Sequence, residues 1–184
     1  NQYNAETGEF VKTLFEEKND RYVEPENPLY FVPGTSDQFI WMSERDGFMH
    51  MYLYKTDGTL VKQLTKGPWM VTHFGGFDAT GKNVWFDATK KSPIESHAYT
   101  VNLANGKMTN LTIETGSHDI TISKSFNYFV DSYSSTKEAS VYELMTSKGK
   151  VVKEMLRDVN PLKNFNAPTQ EIFTLKAEDG TDLY

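Results

Sequence analysis

The stretch FIWMS at Phe39–Ser43 decides the fold, because it is the first of three aromatic-centred runs that recur at a constant spacing. The second run is NVWFD at Asn83–Asp87, and the third is NYFVD at Asn127–Asp131. Their central aromatic residues, at positions 41, 85 and 129, are 44 residues apart in both steps. A sequence that repeats in this way builds the same small structural unit several times over.

Each run is followed by the same order of features. A second strand-like run comes next, then a turn containing glycine, and then a short run that closes on a hydrophobic residue, often with threonine after it. The turn glycines are Gly58, Gly106 and Gly149. Half of a fourth copy precedes the first, with its own turn at Gly8. A period of roughly 40–50 residues with several short strands per unit is typical of β-propeller blades.

We therefore predict an all-β fold, a partial β-propeller of about three and a half four-stranded antiparallel blades. Because propellers close with typically 4–8 blades, the chain is expected to be a piece of a larger protein. Hydrophobic alternation and turn residues place four strands in each full unit. The predicted strands are Leu29–Val32, Gln38–Ser43, His50–Tyr54 and Leu60–Leu64 in the first unit, Val71–Phe77, Asn83–Asp87, Ser96–Asn102 and Lys107–Leu111 in the second, and Asp119–Ser123, Asn127–Ser132, Ala139–Leu144 and Lys150–Leu156 in the third.

The repeat pattern breaks after Leu156. The next residues are rich in asparagine and proline and carry no periodicity, which is typical of a linker. Glu171–Ala177 then alternates like a strand, and Asp179-Gly180 supplies a hairpin turn. We predict a partial propeller at residues 1–157, a linker at 158–170 and the start of a second-domain hairpin at 171–184.

Composition excludes several classes of function. The formal net charge of −6 and the absence of a long basic run argue against nucleic acid or an anionic membrane as a partner. No apolar stretch approaches the ~20 residues that span a bilayer, so no membrane span is expected. The chain contains no cysteine, which excludes disulfides and thiolate chemistry.

The four histidines, His50, His73, His97 and His118, do not predict a metal site, because none lies at the close spacing of a ligand cluster. His50 and His97 fall inside predicted strands and are expected to be packed or hydrogen-bonded there. The sequence also contains no P-loop or dinucleotide fingerprint, so no cofactor is expected.

Two stretches around the first repeat are more specific than the glycine turns. Ser43–Tyr54 has the pattern S-E-x-D-G-x-x-H-x-Y-x-Y, and Leu64–Val71 has the pattern L-T-x-G-x-W-x-V. With the preceding EPENPL at Glu24–Leu29, they resemble the last blades of the N-terminal propeller in the dipeptidyl peptidase IV family, within the prolyl oligopeptidase group of serine peptidases. Glu171–Tyr184 resembles the start of that family's α/β-hydrolase domain. The resemblance covers essentially the whole chain.

This resemblance implies an enzyme that releases dipeptides, often Xaa-Pro, from peptide N-termini with a Ser–Asp–His triad carried by the hydrolase domain. Such a nucleophile usually lies in a G-x-S-x-G elbow, and this chain contains none. We therefore expect no catalytic residue here, and interpret the chain as a non-catalytic propeller part that gates and shapes the substrate pocket. The resemblance also implies an extracytoplasmic protein, periplasmic or secreted, that is homodimeric at full length. Its expected partners are the peptide substrate, the hydrolase domain and the remaining blades.

The resemblance further points to candidate pocket residues. In the family, the loop that leads into one late blade lines the pocket beyond the second substrate residue, and its counterpart here is Arg21, Tyr22, Val23 and Glu24. The alternative is that Tyr22 and Val23 pack between blades.

The adjacent Glu16 and Glu17 suggest the glutamate pair with which the family binds the free amine of its substrate. The aromatic-rich D-W-x-Y run that precedes that pair in the family is missing here, and the family's pair belongs to an earlier blade. We interpret Glu16 and Glu17 as part of a solvated loop.

A second function class stays open on the sequence. Similar glycine-turn repeats occur in non-enzymatic periplasmic binding or scaffold proteins. A pure propeller would return to a blade strand after the third unit, whereas a hydrolase would begin a new hairpin. The linker and the turn at Asp179-Gly180 favour the peptidase interpretation.

Overall fold

Three four-stranded antiparallel sheets and two short hairpins make up the computed structural model, which describes residues 1–166, 168 and 171–184. Every sheet is a meander whose strands pair in chain order, as in propeller blades. No helix occurs among the described residues. The predicted all-β fold, with the blades of a partial propeller, is confirmed.

The strands are numbered β1 to β16 along the chain. The first hairpin contains β1 (Gln2–Tyr3) and β2 (Phe10–Lys12). The first sheet contains β3 (Tyr30–Phe31), β4 (Gln38–Ser43), β5 (His50–Lys55) and β6 (Leu60–Gln63). The second contains β7 (Val71–Phe77), β8 (Asn83–Ala88), β9 (His97–Asn102) and β10 (Met108–Asn110). The third contains β11 (Ser117–Ile122), β12 (Tyr128–Ser134), β13 (Val141–Thr146) and β14 (Val151–Arg157). The last hairpin pairs β15 (Leu175–Lys176) with β16 (Asp182–Leu183).

The predicted strands of the three full units all exist, and their bounds differ from the observed ones by at most two residues. The strand predicted at Glu171–Ala177 is shorter than expected, with only Leu175–Lys176 paired. Three residues of the predicted linker, Ala167, Thr169 and Gln170, lie outside the described residues. The division into propeller part, linker and second domain stays a prediction.

The described residues form two compact units, one of residues 1–90 and 99–109 and the other of residues 91–98 and 110–184. In the first unit, a large apolar core includes Ile40 and Met42 of β4 together with Val84 and Phe86 of β8. A smaller aromatic cluster, formed by Phe39, Tyr52, Tyr54, Phe15 and Trp41, covers the opposite face of the first sheet. Since successive side chains of a strand point to opposite faces, both faces of β4 are buried.

The constant spacing of 44 residues predicts the strand of each central aromatic residue but not its face. Trp41, Trp85 and Phe129 all lie on the second strand of their sheets, as expected. Trp41 points away from the large core, into the cluster with Phe15. Trp85 alternates with Val84 and Phe86, so it lies on the face of the second sheet that is directed away from the first. The residue-by-residue alignment of these two repeats is therefore wrong by one position.

A buried histidine–threonine contact repeats in two successive blades. The Nδ1 atom of His50 lies 3.1 Å from the hydroxyl of Thr65, and that of His97 lies 3.2 Å from the hydroxyl of Thr112. Each threonine hydroxyl also accepts a backbone N–H at 3.0 Å, from Met51 and Ala98. The expectation that these two histidines are packed and hydrogen-bonded is confirmed.

Three acidic side chains lie in register across the third sheet. Asp131 of β12 is the cross-strand partner of Glu143 in β13, which in turn is the partner of Glu154 in β14. Directly opposed residues share a face, and like charges placed in this way repel. Burial, reinforced by the carboxylates of Asp131 and Glu154, raises the pKa of Glu143.

We expect Glu143→Gln to stabilise the protein at neutral pH by a few tenths to about 1 kcal/mol, the size of a cross-strand pair. A raised folded pKa means that ionising Glu143 is harder in the folded state, so stability is lost as the pH rises through that pKa. The gain should therefore vanish below the ordinary glutamate pKa of about 4.3. Urea midpoints of the parent and of Glu143→Gln at pH 7 and pH 4 measure this gain in stability.

Glu154→Gln is the contrast and should bring no gain, because Glu154 accepts two hydrogen bonds at 3.0 Å from Arg157. A midpoint at pH 7 that is unchanged or lower in Glu143→Gln would contradict the prediction.

Candidate functional site

A cavity of about 400 Å³ opens beside the first sheet. Its walls come from two parts of the chain, the irregular segment before β3 and the end of β4 with the turn that follows it. The lining residues are 16–19, 21–25, 42–45, 47 and 49.

The sequence explains why the two walls have these conformations. Residues 13–29 contain no strand, and the proline residues Pro25 and Pro28 remove two backbone donors that a sheet ladder would need. On the other wall, β4 ends at Ser43, and the backbone N–H of Gly47 donates to the carbonyl of Glu44 at 2.8 Å to form the turn into β5. Gly47 has a φ of 94°, in the left-handed region that glycine adopts without strain.

The four candidate pocket residues all lie on the wall of this cavity. Arg21, Tyr22, Val23 and Glu24 follow one another along the irregular segment. Tyr22 is 67% exposed and Val23 is also exposed, so neither side chain is buried in a core of the described residues. The structure therefore brings the four residues together, and their contact with a substrate stays a prediction.

Glu17 differs from the expectation of a solvated loop. Its side chain is only 15% exposed and forms an ion pair with Arg45. The Oε1 atom of Glu17 also accepts a hydrogen bond of 2.5 Å from the hydroxyl of Ser43. Glu16 does match the expectation, since it is exposed and pairs with exposed Lys18 at 2.8 Å. The interpretation as a solvated loop is wrong for Glu17, because the chain folds this carboxylate onto the end of β4.

Arg45 is held on several sides besides Glu17. Its Nε donates to the hydroxyl of Ser43 at 3.0 Å, and its Nη1 donates to the hydroxyl of Tyr54 at 2.6 Å. The guanidinium lies 4.2 Å from the ring centre of Tyr52, within the range of a cation–π contact. Burial and the nearby Asp46 carboxylate raise the pKa of Tyr52, so its hydroxyl stays neutral at physiological pH.

The Glu17–Arg45 contact joins residues that are 28 positions apart, and no periodicity connects them. The only sequence signal was that Arg45 lies within the S-E-x-D-G stretch, whose glycine and aspartate predict a tight turn. That signal locates one side of the contact and leaves the other side open.

The described part of the chain contains no group of three or more histidine, cysteine or acidic side chains that could hold a metal ion. Within the same residues, no helix is long and apolar enough to cross a membrane. The charged residues that line the cavity are the cations Lys18, Arg21 and Arg45 and the carboxylates Glu16, Glu17, Glu24 and Glu44.

Known protein families contain sequences similar to this chain. A family model of the dipeptidyl peptidase IV (DPP IV) N-terminal region matches residues 1–140. Among related sequences, dipeptidyl peptidase 8 of Mus musculus is 28% identical over 93% of this chain and 24% of the relative. Dipeptidyl peptidase 4 of Arthroderma otae is 27% identical over 80% of this chain and 20% of the relative.

Two solved structures are similar in fold and sequence. A protein of Bacteroides ovatus, provisionally assigned as a dipeptidyl aminopeptidase IV, superposes with a TM-score of 0.86 at 35% identity, over 98% of this chain and 28% of that one. Porphyromonas gingivalis dipeptidyl peptidase 4 superposes with a TM-score of 0.77 at 31% identity, over 89% of this chain and 24% of that one. The chain thus spans about a quarter of the length of the proteins it matches.

Proposed function

The chain belongs to the family of the dipeptidyl peptidase IV N-terminal region, and we propose from this premise that it forms the late propeller blades of a serine exopeptidase. The parent enzyme removes N-terminal dipeptides, often Xaa-Pro, and its propeller gates and shapes the substrate pocket. The observation that carries the proposal is the cavity beside the first sheet, because the four residues that the family resemblance singles out all line it.

In this role the propeller contributes binding and access rather than bond cleavage. Tyr22 and Val23 line the cavity and are exposed, so they offer apolar contact to a peptide. Arg21 and Glu24 offer a donor and an acceptor for backbone groups of an extended chain. A contact of this kind acts on substrate residues beyond the second, which a short dipeptide derivative does not possess.

The remaining parts of the proposal concern the parent protein. Residues 158–170 act as the linker and residues 171–184 begin the α/β-hydrolase domain that carries the triad. The full-length protein is a homodimer and works outside the cytoplasm, in the periplasm or as a secreted enzyme. The family membership and the bacterial and fungal relatives support these statements.

We expect Tyr22→Ala or Val23→Ala in the full-length enzyme to raise KM for tripeptides and longer peptides more than for dipeptide amides. The expected loss of binding free energy for the longer peptides is about 1 kcal/mol, which raises their KM roughly five- to tenfold, as for the loss of a few apolar contacts. Steady-state kinetics with a dipeptide amide and a matched longer peptide measure the ratio. Tyr22→Phe is the control, because it keeps the ring and should keep KM. Equal effects on short and long substrates would contradict the assignment.

A further inference from the structure

The cavity wall formed by residues 16–25 is attached to the first sheet at few points. Across the described residues, no backbone–backbone hydrogen bond involves residues 13–29. Phe15 anchors one end by stacking on Tyr54 at a centroid distance of 4.6 Å. Beyond Phe15, the side-chain hydrogen bonds that join the wall to β4 and its following turn all end on the carboxylate of Glu17.

The Glu17 contact is a closed ring of hydrogen bonds. The Nε–H of Arg45 donates to the hydroxyl oxygen of Ser43, and that hydroxyl donates to the Glu17 carboxylate. The Nη2 atom of Arg45 closes the ring on the same carboxylate oxygen. Charge-assisted hydrogen bonds of this kind are the stronger ones in proteins.

Arg45 is also held by side chains other than Glu17. Tyr54 and the Tyr52 ring orient the guanidinium from the sheet side, so little side-chain entropy is lost when Glu17 binds. An exposed ion pair such as Glu16–Lys18 lacks this preorganisation, and such pairs contribute little. Glu17 is also more buried than Glu16, with side chains 15% and 64% exposed, so its ion pair is less screened by water.

We propose that the Glu17–Arg45 pair is the latch that holds residues 16–25 as the wall of the cavity, and that Arg45 is a positioning residue for Tyr22 and Val23. The part of this inference that concerns peptides rests on the proposed function. The latch itself does not, since it concerns only where the wall lies.

Trypsin supplies a direct test, because the wall contains two of its cleavage sites, after Lys18 and after Arg21. In the full-length protein, Glu17→Gln and Arg45→Gln should each speed cleavage at these sites by about tenfold or more, the size expected for loss of a hydrogen bond to a charged group. New N-termini at Asn19 and Tyr22, followed by mass spectrometry over time, measure the rate. Glu16→Gln is the control: it removes a carboxylate one residue further from both sites than Glu17 and should leave the rate within about twofold of the parent. Arg45→Gln leaves the sequence around both sites unchanged, so its faster cleavage cannot come from a change in trypsin's own preference.

The double variant Glu17→Gln/Arg45→Gln separates a latch from two independent effects. A latch predicts that the double variant is cleaved no faster than either single variant, because the same contact is lost in all three. The latch would be overturned if the increase in cleavage rate of the double variant equalled the product of the increases in the two single variants. It would also be overturned if neither single variant were cleaved faster than the parent, or if Glu16→Gln increased the rate as much as they do.

Kinetics on the same variants distinguish the latch from the proposed function. We expect Glu17→Gln to raise KM for longer peptides severalfold more than for dipeptide amides, in parallel with Tyr22→Ala. If cleavage accelerates and Tyr22→Ala has no effect on KM, the latch stands and the proposed function fails. If Tyr22→Ala raises KM but Glu17→Gln does not, the positioning role is overturned.

Discussion

Replacing Gly58 by alanine is expected to destabilise the protein by roughly 3 kcal/mol or more. Gly58 has a φ of 97°, and a β-carbon built there would lie 2.1 Å from the carbonyl oxygen of Leu14. That oxygen belongs to backbone, so it cannot rotate away as a side chain would. The strand-connecting turn of the first sheet must therefore separate from the segment that precedes it. The urea midpoint, followed by the fluorescence of the protein's three tryptophans, measures the loss.

Gly47→Ala is the matched control for this substitution. Gly47 has nearly the same φ, 94°, but apart from its two chain neighbours no residue lies within 4 Å of the position that a β-carbon would take there. Its replacement should show only the backbone strain of a left-handed alanine, about 1 kcal/mol. Equal losses for the two variants would mean that backbone conformation, and not the approach of Leu14, makes Gly58 necessary.

Replacing Asp131 by alanine is expected to cost about 3 kcal/mol, because it breaks a fully buried pair. The carboxylate of Asp131 lies 2.8 Å from the Nδ1 atom of His118, and both side chains are buried. The Nε2 atom of His118 contacts the carbonyl of Glu114 at 3.1 Å, so the imidazole is held at both ends. Without Asp131, a buried ring nitrogen loses its partner and keeps the full cost of its desolvation.

Hydrogen exchange of the third sheet and circular dichroism during urea unfolding measure this effect. Asp119→Ala is the control. Asp119 is exposed in the neighbouring strand, and its cross-strand partner is Ser132, so this pair lies on the face of the sheet opposite to Asp131. It should change stability by less than about 0.5 kcal/mol. A loss no larger in Asp131→Ala than in Asp119→Ala would contradict the prediction.

The strand pattern and the family could be predicted because both depend on local features. The alternation around Trp41 and the turn residues that follow it determine where a strand begins and ends, whatever lies next to the sheet. The stretches at Ser43–Tyr54 and Leu64–Val71 carried the family resemblance, and the matches to relatives confirmed it.

The site was predicted only in part. Arg21–Glu24 was located by resemblance, and the structure places these residues on one cavity wall. Glu17 was missed because its neighbours in the chain, exposed Glu16 and Lys18, give it the composition of a solvated loop.

The sequence by itself determined the repeat, the four strands of each blade and the positions of the turns, since period-two alternation and glycine conformations act within a few residues. Only the tertiary structure decided which face Trp85 occupies, because alternation defines two faces and the neighbouring sheet selects between them. The tertiary structure also decided the Glu17–Arg45 contact and the cavity that these two residues help to line. Such contacts form between residues far apart in the chain, where burial and charge complementarity in three dimensions, and not local pattern, select the partner.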